Sequence, residues 1–146
     1  MITNRSAPSS PVVPILVYED VQRAVDWLTR AFGFEERLRA PGPRGGEITH
    51  AQLLAGRGDV IVGKAGGPFT ASTAAVNQYV LVAVDDVRAH CERARRAGAE
   101  ILQQPTDMPF GERQYTAKDH AGHWWTFTES IADVAPEDWG ATTARR

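Results

Sequence analysis

Few side chains in this sequence could catalyse a reaction or hold a metal ion, and the four histidines are the first to consider. His120 and His123 form an HxxH spacing in a turn-like segment, which is common by chance. His90 stands beside Cys91 in a predicted helix, where a surface position is the simplest interpretation. His50 lies in a predicted strand from which its side chain can reach a pocket. We therefore expect His50 to bind a ligand, and we expect no metal site built on the other three.

Patterns for other kinds of catalysis are missing from the sequence. It contains no CxxC pair, no P-loop, no GxGxxG motif and no serine, histidine and aspartate at triad spacing. The single cysteine, Cys91, cannot form an intrachain disulfide and falls on the apolar stripe of a predicted helix. We expect it to pack in the core, and we expect the protein to be cytoplasmic because a reducing compartment suits a lone thiol.

Charge and hydrophobicity limit the choice of partners. The chain has 146 residues, 42% of them hydrophobic, which is enough for one globular domain with a substantial core. Its formal net charge of -2 provides no basic surface for phosphates, so we expect no nucleic-acid partner. No apolar run approaches the roughly 18 residues of a membrane span, and the first residues lack the apolar core of a secretory signal. We therefore expect no membrane partner.

The elements that must position any site follow one plan twice. In a predicted first helix, Asp20 is a good N-cap and Gly33 a good C-terminal glycine, and one apolar face carries Val21, Val25, Leu28 and Phe32. In a predicted second helix, Asp86 precedes a face made of Val87, Cys91 and Ala94, which are 66 positions after 21, 25 and 28. Strand-like segments surround both helices in the order βαβββ. The match favours an internal repeat over two unrelated α/β units.

This pattern predicts an α+β fold of two βαβββ modules. We place the first module at residues 12–63 and the second at 77–129, with a linker of small residues at 64–76. Residues 1–11 are predicted to be a mobile tail, and residues 130–146 a C-terminal tail.

Short segments in a fixed order carry a resemblance to the glyoxalase, bleomycin-resistance and extradiol dioxygenase superfamily, called vicinal oxygen chelate. These segments are Ala31-Phe32-Gly33-Phe34, Ile48-Thr49-His50-Ala51, Val84-Asp85-Asp86-Val87, Arg96-Ala97-Gly98-Ala99, Pro109-Phe110-Gly111-Glu112-Arg113 and Asp119-His120-Ala121-Gly122-His123-Trp124. The sequence resembles bacterial glyoxalase and bleomycin-resistance proteins most, although His120 stands where these usually have proline. The resemblance implies curved half-barrel sheets with helices outside, a site in the concave sheet, and a homodimer.

The same resemblance predicts where a metal ion would be held. In metal-dependent members four strands supply histidine, glutamine or glutamate, and the corresponding positions here are Val13, Tyr79, Thr126 and either Val60 or Val62. A tyrosine, a threonine and valines do not make a credible site for a divalent ion. We therefore expect no metal and no cofactor.

Without a metal, the concave face would be an apolar and aromatic pocket. Strand alternation places Trp124, Thr126 and Thr128 inward, with Trp125, Phe127 and Glu129 outward. Arg113 could orient a ligand and Phe110 could border the mouth. The predicted ligand-binding residues are Val13, Ile15, His50, Val60, Val62, Tyr79, Leu81, Phe110, Arg113, Trp124 and Thr126.

Two functions from different classes remain open at this point. The first is a non-catalytic protein that binds a planar or aromatic small molecule such as an antibiotic. The second is a lyase or dioxygenase of the glyoxalase type with unorthodox metal ligands. The predicted ligand-binding side chains could also simply fill the concave face of the sheets as a hydrophobic core, without a pocket.

Overall fold

The computed structural model of the protein describes residues 2–72 and 75–143. Residues 1, 73–74 and 144–146, which belong to the predicted tails and linker, lie outside the described residues. The first module contains β1 (Ile15–Tyr18), α1 (Val21–Phe32), β2 (Glu35–Pro41), β3 (Ile48–Ala55) and β4 (Gly58–Lys64). The second contains β5 (Val80–Ala83), α2 (Val87–Arg96), β6 (Glu100–Asp107), β7 (Glu112–Lys118) and β8 (Trp124–Ser130). A short 3₁₀ helix follows at Pro136–Trp139.

The two modules have the same topology, which confirms the predicted fold class. The first sheet has the strand order β1-β4-β3-β2, and the second has the equivalent order β5-β8-β7-β6. In each sheet the first strand pairs in parallel with the last, and the remaining pairs are antiparallel. The helix connects the first strand of each module to the second, which lies at the opposite edge of the sheet, so it crosses one face of that sheet.

Both helices begin at the predicted aspartates. The Asp20 carboxylate accepts a hydrogen bond from the backbone N–H of Arg23 at 3.0 Å, and the Asp86 carboxylate accepts one from Ala89 at 3.0 Å. Gly33 ends α1 with φ of 72°, a left-handed conformation that glycine adopts without steric cost. The capping residues therefore fix the strand-to-helix corner in each module.

One hydrophobic core joins the modules on the helix-facing sides of the two sheets. The ring of Phe32, at the end of α1, lies 5.8 Å from that of Trp125 and 4.8 Å from that of Phe127, both on β8. Cys91 is buried, as predicted, and Trp125 and Phe127, which strand alternation places on the face opposite Trp124, are buried in the same core. A helix of the first module thus packs directly on the sheet of the second.

His90, predicted as a helix-surface residue, is half-buried and packs against this core, with its ring centre 4.2 Å from that of Phe127. Its Nε2 lies 2.7 Å from the carbonyl oxygen of Phe32, and its Nδ1 is hydrogen-bonded to the hydroxyl of Tyr115. The arrangement requires Nε2 to carry the proton and Nδ1 to accept from the tyrosine. Burial lowers the pKa of His90, because it disfavours the charged imidazolium.

We expect the free energy of unfolding to decrease as the pH falls from 7.5 to 5.5. Burial lowers the pKa of both His90 and His120, so the unfolded chain takes up protons below about pH 6.5 that the folded chain does not. The stability contribution is therefore complete above the unfolded pKa and is lost as the pH falls toward the folded one. Urea unfolding at several pH values measures the slope, and His90→Gln should flatten it. An unchanged slope in this variant would contradict the assignment.

Candidate functional site

A groove of about 620 Å³ lies where the first strands of the two sheets, β1 and β5, approach each other. It is bounded on one side by Ile15 and Val17 and on the other by Tyr79, with Trp124 and His123 at the start of β8. The segment that connects the modules supplies the rest of the lining: Thr70, Ser72, Ala75, Val76, Asn77 and Gln78.

The side chains around this groove belong to what we call the open face of each sheet, the face opposite its helix. On the first sheet the open face carries Ile15, Val17, His50, Gln52, Asp59 and Ile61, and on the second it carries Leu81, Gln114, Thr116, Thr126 and Thr128. Ile15 and Tyr79 are each 63% exposed and Leu81 is 56% exposed. Large apolar side chains left this open at neighbouring strands are typical of a binding surface.

The turn between β7 and β8 holds the two walls of the groove together. His123 Nε2 lies 2.8 Å from the carbonyl oxygen of Val17, which links this turn to β1. In the same turn, the buried Asp119 accepts hydrogen bonds from the hydroxyl of Tyr18 at 2.6 Å and from the indole N–H of Trp125 at 3.1 Å. Its other oxygen accepts from the backbone N–H groups of Ala121 and His123, both at 3.0 Å.

The Asp119 carboxylate thus joins the two modules through four hydrogen bonds, a role that the sequence did not indicate. Burial, together with the charge and hydrogen bond of Asp119, raises the pKa of Tyr18 well above its ordinary value, so Tyr18 remains a donor. This network positions Trp124, the residue that follows His123, at the groove wall. The Lys118 ammonium lies 5.9 Å from the centre of the Trp124 ring.

The groove brings together three of the predicted ligand-binding residues: Ile15, Tyr79 and Trp124. Thr126 and Leu81 lie on the open face of the second sheet, directly opposite each other on paired strands. Thr126 is buried and its hydroxyl is 2.8 Å from that of Thr116. Val13 is half-buried just before β1.

Val60 and Val62 do not line the open face, so this part of the prediction was wrong. Both are buried, at 2% and 1% exposure, and pair with Leu53 and Ala51 in the helix-facing core. The open face of β4 carries Asp59 and Ile61 instead. Side chains alternate along a strand, so a count that is off by one residue reverses every assignment.

Arg113 and Phe110 also lie away from the groove. Arg113 is on the helix-facing side of β7, where its Nε donates to Asp107 at 2.7 Å and its guanidinium is 3.8 Å from Glu129. Phe110 packs against Trp139 of the 3₁₀ helix, with ring centres 5.4 Å apart. The expectation that Arg113 projects into the site was therefore wrong. Neither residue touches the groove.

His50 is on the open face of the first sheet, but it is engaged in a polar cluster. Its Nε2 lies 3.3 Å from the side-chain nitrogen of Gln52, which in turn donates to the carbonyl oxygen of Ser6 at 3.0 Å. The Gln52 carbonyl accepts a hydrogen bond from Arg37. The N-terminal segment is therefore connected to His50 through Gln52, an arrangement that the sequence gave no reason to expect.

The side chains at the predicted metal positions do not fit a divalent ion. Val13 and Tyr79 flank β1 and β5, Thr126 is bonded to Thr116, and the open-face residue of β4 nearest the expected position is Ile61. Among residues 2–72 and 75–143, no cluster of three or more His, Cys, Asp or Glu side chains could hold a metal ion. These side chains therefore support no reaction step that depends on a metal ion.

A second hollow of about 600 Å³ lies between the ends of the two helices and is lined by Arg30, Arg93 and Arg96. Arg93 is engaged there, because its guanidinium donates to the backbone carbonyls of Arg30 and Thr29 at 3.2 and 3.3 Å. Cations at a helix C-terminus stabilise its carbonyls. A structural role accounts for this hollow. The groove between β1 and β5 remains the candidate site.

The family model of the Glyoxalase/Bleomycin resistance protein/Dioxygenase superfamily matches residues 11–127, which span both modules. The chain belongs to this superfamily. Among curated relatives, uncharacterized proteins of Mycobacterium bovis and Mycobacterium tuberculosis are each 30% identical over 128 residues. The match covers 83% of this chain in both cases, with 84% of the first relative and 75% of the second.

Solved structures of the superfamily share the fold. The crystal structure of TioX from Micromonospora sp. ML1 is 44% identical, with a TM-score of 0.67 over 86% of this chain and 100% of that one. Glyoxalase I from Zea mays is 19% identical, with a TM-score of 0.65 over 85% of this chain and 45% of that one, and supports the fold alone. No helix in the described part of this superfamily member is long and apolar enough to cross a membrane.

Proposed function

We propose that the groove between β1 and β5 binds a planar or aromatic small molecule and that this binding needs no metal ion. The observation that carries the proposal is the exposure of Ile15 and Tyr79, both 63% accessible, in the lining of a space of about 620 Å³. Pockets for small molecules are concave, about 300–1,000 Å³ in volume and lined mainly by apolar and aromatic side chains. This groove has that size, and its lining combines apolar and aromatic side chains with polar ones from the connecting segment.

Two aromatic side chains supply the stacking surface. Trp124 and Tyr79 both line the groove, and their flat faces suit a planar ligand. Polar orientation comes from the connecting segment, where Asn77 and Gln78 offer both donors and acceptors. Arg113, which the sequence suggested for this role, lies on the helix-facing side of β7 and not in the groove.

Metal independence is supported by the chemistry of the side chains at the superfamily's ligand positions. Valine and isoleucine provide no lone pair, and a tyrosine with a threonine is a poor donor set for a divalent ion. A protein of this kind acts by capturing its ligand, as a sequestering protein does. We propose a cytoplasmic location for this activity.

A homodimer is part of the proposal. The open faces leave Ile15, Leu81 and Tyr79 largely exposed, which a second copy of the chain would cover. Burying such apolar surface stabilises an interface by roughly 25 cal/mol per Å² before the costs of association. The groove would then be enclosed by both subunits, which is consistent with its openness in one chain.

A thermal-shift screen tests the proposed function. The library contains planar aromatic antibiotics and adducts of α-ketoaldehydes, measured with and without EDTA. A ligand at 100 times its Kd should stabilise the fold by about 2.7 kcal/mol, and EDTA should not change the shift. If no planar compound raises the melting temperature, the proposal is wrong. If a shift appears only with a divalent ion, the lyase or dioxygenase class gains instead.

We expect Trp124→Ala and Tyr79→Ala each to weaken binding of a compound from this screen at least about tenfold, or 1.4 kcal/mol. The reason is the loss of an aromatic stacking surface, which is the main source of affinity in such pockets. Isothermal titration calorimetry provides the measurement. Trp139→Ala is the matched control, because Trp139 packs on Phe110 away from the groove. Equal affinity in all four proteins would contradict the location of the site.

A further inference from the structure

Residues 5–10 lie on the open face of the first sheet instead of extending away from the domain. Ser10 donates to the Asp59 carboxylate through its backbone N–H at 2.9 Å and through its hydroxyl at 2.6 Å. Ser9 adds a third hydrogen bond to the same oxygen at 3.3 Å. Farther along the segment, the carbonyl oxygens of Ser6 and Arg5 accept from Gln52 and Arg37. We call residues 5–10 the strap.

The strap covers polar side chains on the open face of the first sheet. Asp59 and Gln52 are each only 5% exposed, although both are on the side of the sheet opposite α1. In the described part of the chain no helix covers that side, and these two side chains form hydrogen bonds there with the strap and with Arg37 and His50. His50 is tied to the same cluster through Gln52. Three groups able to bind a polar ligand are thus engaged by the protein itself.

The chemistry of the strap makes this attachment reversible. Pro8 and Pro11 have no backbone N–H, so the segment cannot pair along the sheet as a further strand. It is held by a few hydrogen bonds, and most of its residues remain exposed. One Asp59 oxygen accepts three of these bonds, while the other is buried without a partner. The gain from these bonds is reduced by the cost of burying the second Asp59 oxygen without a partner.

We propose that the strap is an autoinhibitory cover, and that its release from Asp59 and Gln52 opens the first sheet's open face to ligand. Release would free His50, Gln52 and Asp59 as polar contacts beside the apolar groove. Only the uncovered state would bind ligand at this face. The apparent affinity is therefore the affinity of the uncovered state multiplied by the fraction of molecules in that state. The docking of the strap stands by itself, and its effect on ligand affinity rests on the proposed function.

Hydrogen exchange on the full-length chain tests the docking. In the unchanged protein, the backbone N–H of Ser10 should exchange at least about tenfold more slowly than in an unstructured peptide. Asp59→Ala should abolish most of this protection, and Ser10→Ala should reduce the protection of residues 5–9. Asp26→Ala on the exposed face of α1 is the matched control and should change neither. Ser10 exchanging at the unstructured rate in the unchanged protein would overturn the proposal.

Binding of the planar dye 8-anilinonaphthalene-1-sulfonate tests the consequence. Its affinity should rise at least about threefold in Asp59→Ala and in Ser10→Ala, and stay constant in Asp26→Ala. Ser10→Ala leaves the sheet untouched, so its result remains informative if Asp59→Ala fails to fold. Loss of strap protection without any gain in dye affinity would overturn autoinhibition. Failure of the antibiotic screen with normal strap protection would instead count against the proposed function.

Discussion

Replacing Asp119 by alanine is expected to lower the free energy of unfolding by at least about 3 kcal/mol, a large fraction of the stability of a small domain. Its carboxylate accepts four hydrogen bonds, from Tyr18, Trp125, Ala121 and His123. The first of these donors belongs to the first module and the other three to the second. Removing the acceptor leaves the buried Tyr18 hydroxyl and Trp125 indole N–H without partners, and urea unfolding measures the loss.

Two further variants make the Asp119 result specific. Tyr18→Phe removes one of the four donors and should cost about 1–3 kcal/mol. Asp107→Ala removes an exposed aspartate that pairs with Arg113 and should cost far less than Asp119→Ala, because solvent screens a surface ion pair. An Asp119→Ala protein as stable as the Asp107→Ala protein would show that the carboxylate does not join the modules.

Phe32→Ala is expected to cost about 3–5 kcal/mol, because the change leaves a cavity where the modules meet. The Phe32 ring is 5.1 Å from that of Trp27, 4.8 Å from that of Phe127 and 5.8 Å from that of Trp125. Its neighbours come from both modules, so neither module can collapse into the space by itself. Urea unfolding followed by circular dichroism gives the free energy.

Phe69→Ala is the matched control for Phe32→Ala. Phe69 is 66% exposed in the segment that connects the modules, so removing its ring should change stability by about 0.5 kcal/mol or less. If both variants lost the same stability, the shared core would not be the principal link between the modules.

The repeat and its corners could be predicted because local signals determine them. Asp20 and Asp86 act through hydrogen bonds within three residues of the cap, and the apolar faces of α1 and α2 follow the helical period. The prediction that Trp125 and Phe127 lie on the face of β8 opposite Trp124 was also correct. Side chains alternate between the two faces of a strand, so the orientation of one residue determines that of the others. These features do not depend on contacts between modules.

The placements that failed depend on contacts that the sequence does not encode locally. Val60, Ile61 and Val62 are all apolar, so their pattern cannot show which of them faces the helix. His90 is half-buried, in part because the end of α1 in the other module approaches it and Phe32 accepts its hydrogen bond. Arg113 alternates in step with the buried Tyr115, so it lies on the helix-facing side of β7, where it pairs with Asp107. Likewise, nothing in residues 5–10 indicated that Asp59 would bind them.

The most direct test of metal-free ligand binding is calorimetric titration of one stabilising planar compound before and after exhaustive dialysis against EDTA, with the metal content measured in parallel. The predicted result is one Kd in both preparations and no divalent ion in stoichiometric amount. Loss of binding after dialysis, restored by one equivalent of a divalent ion, would contradict the account.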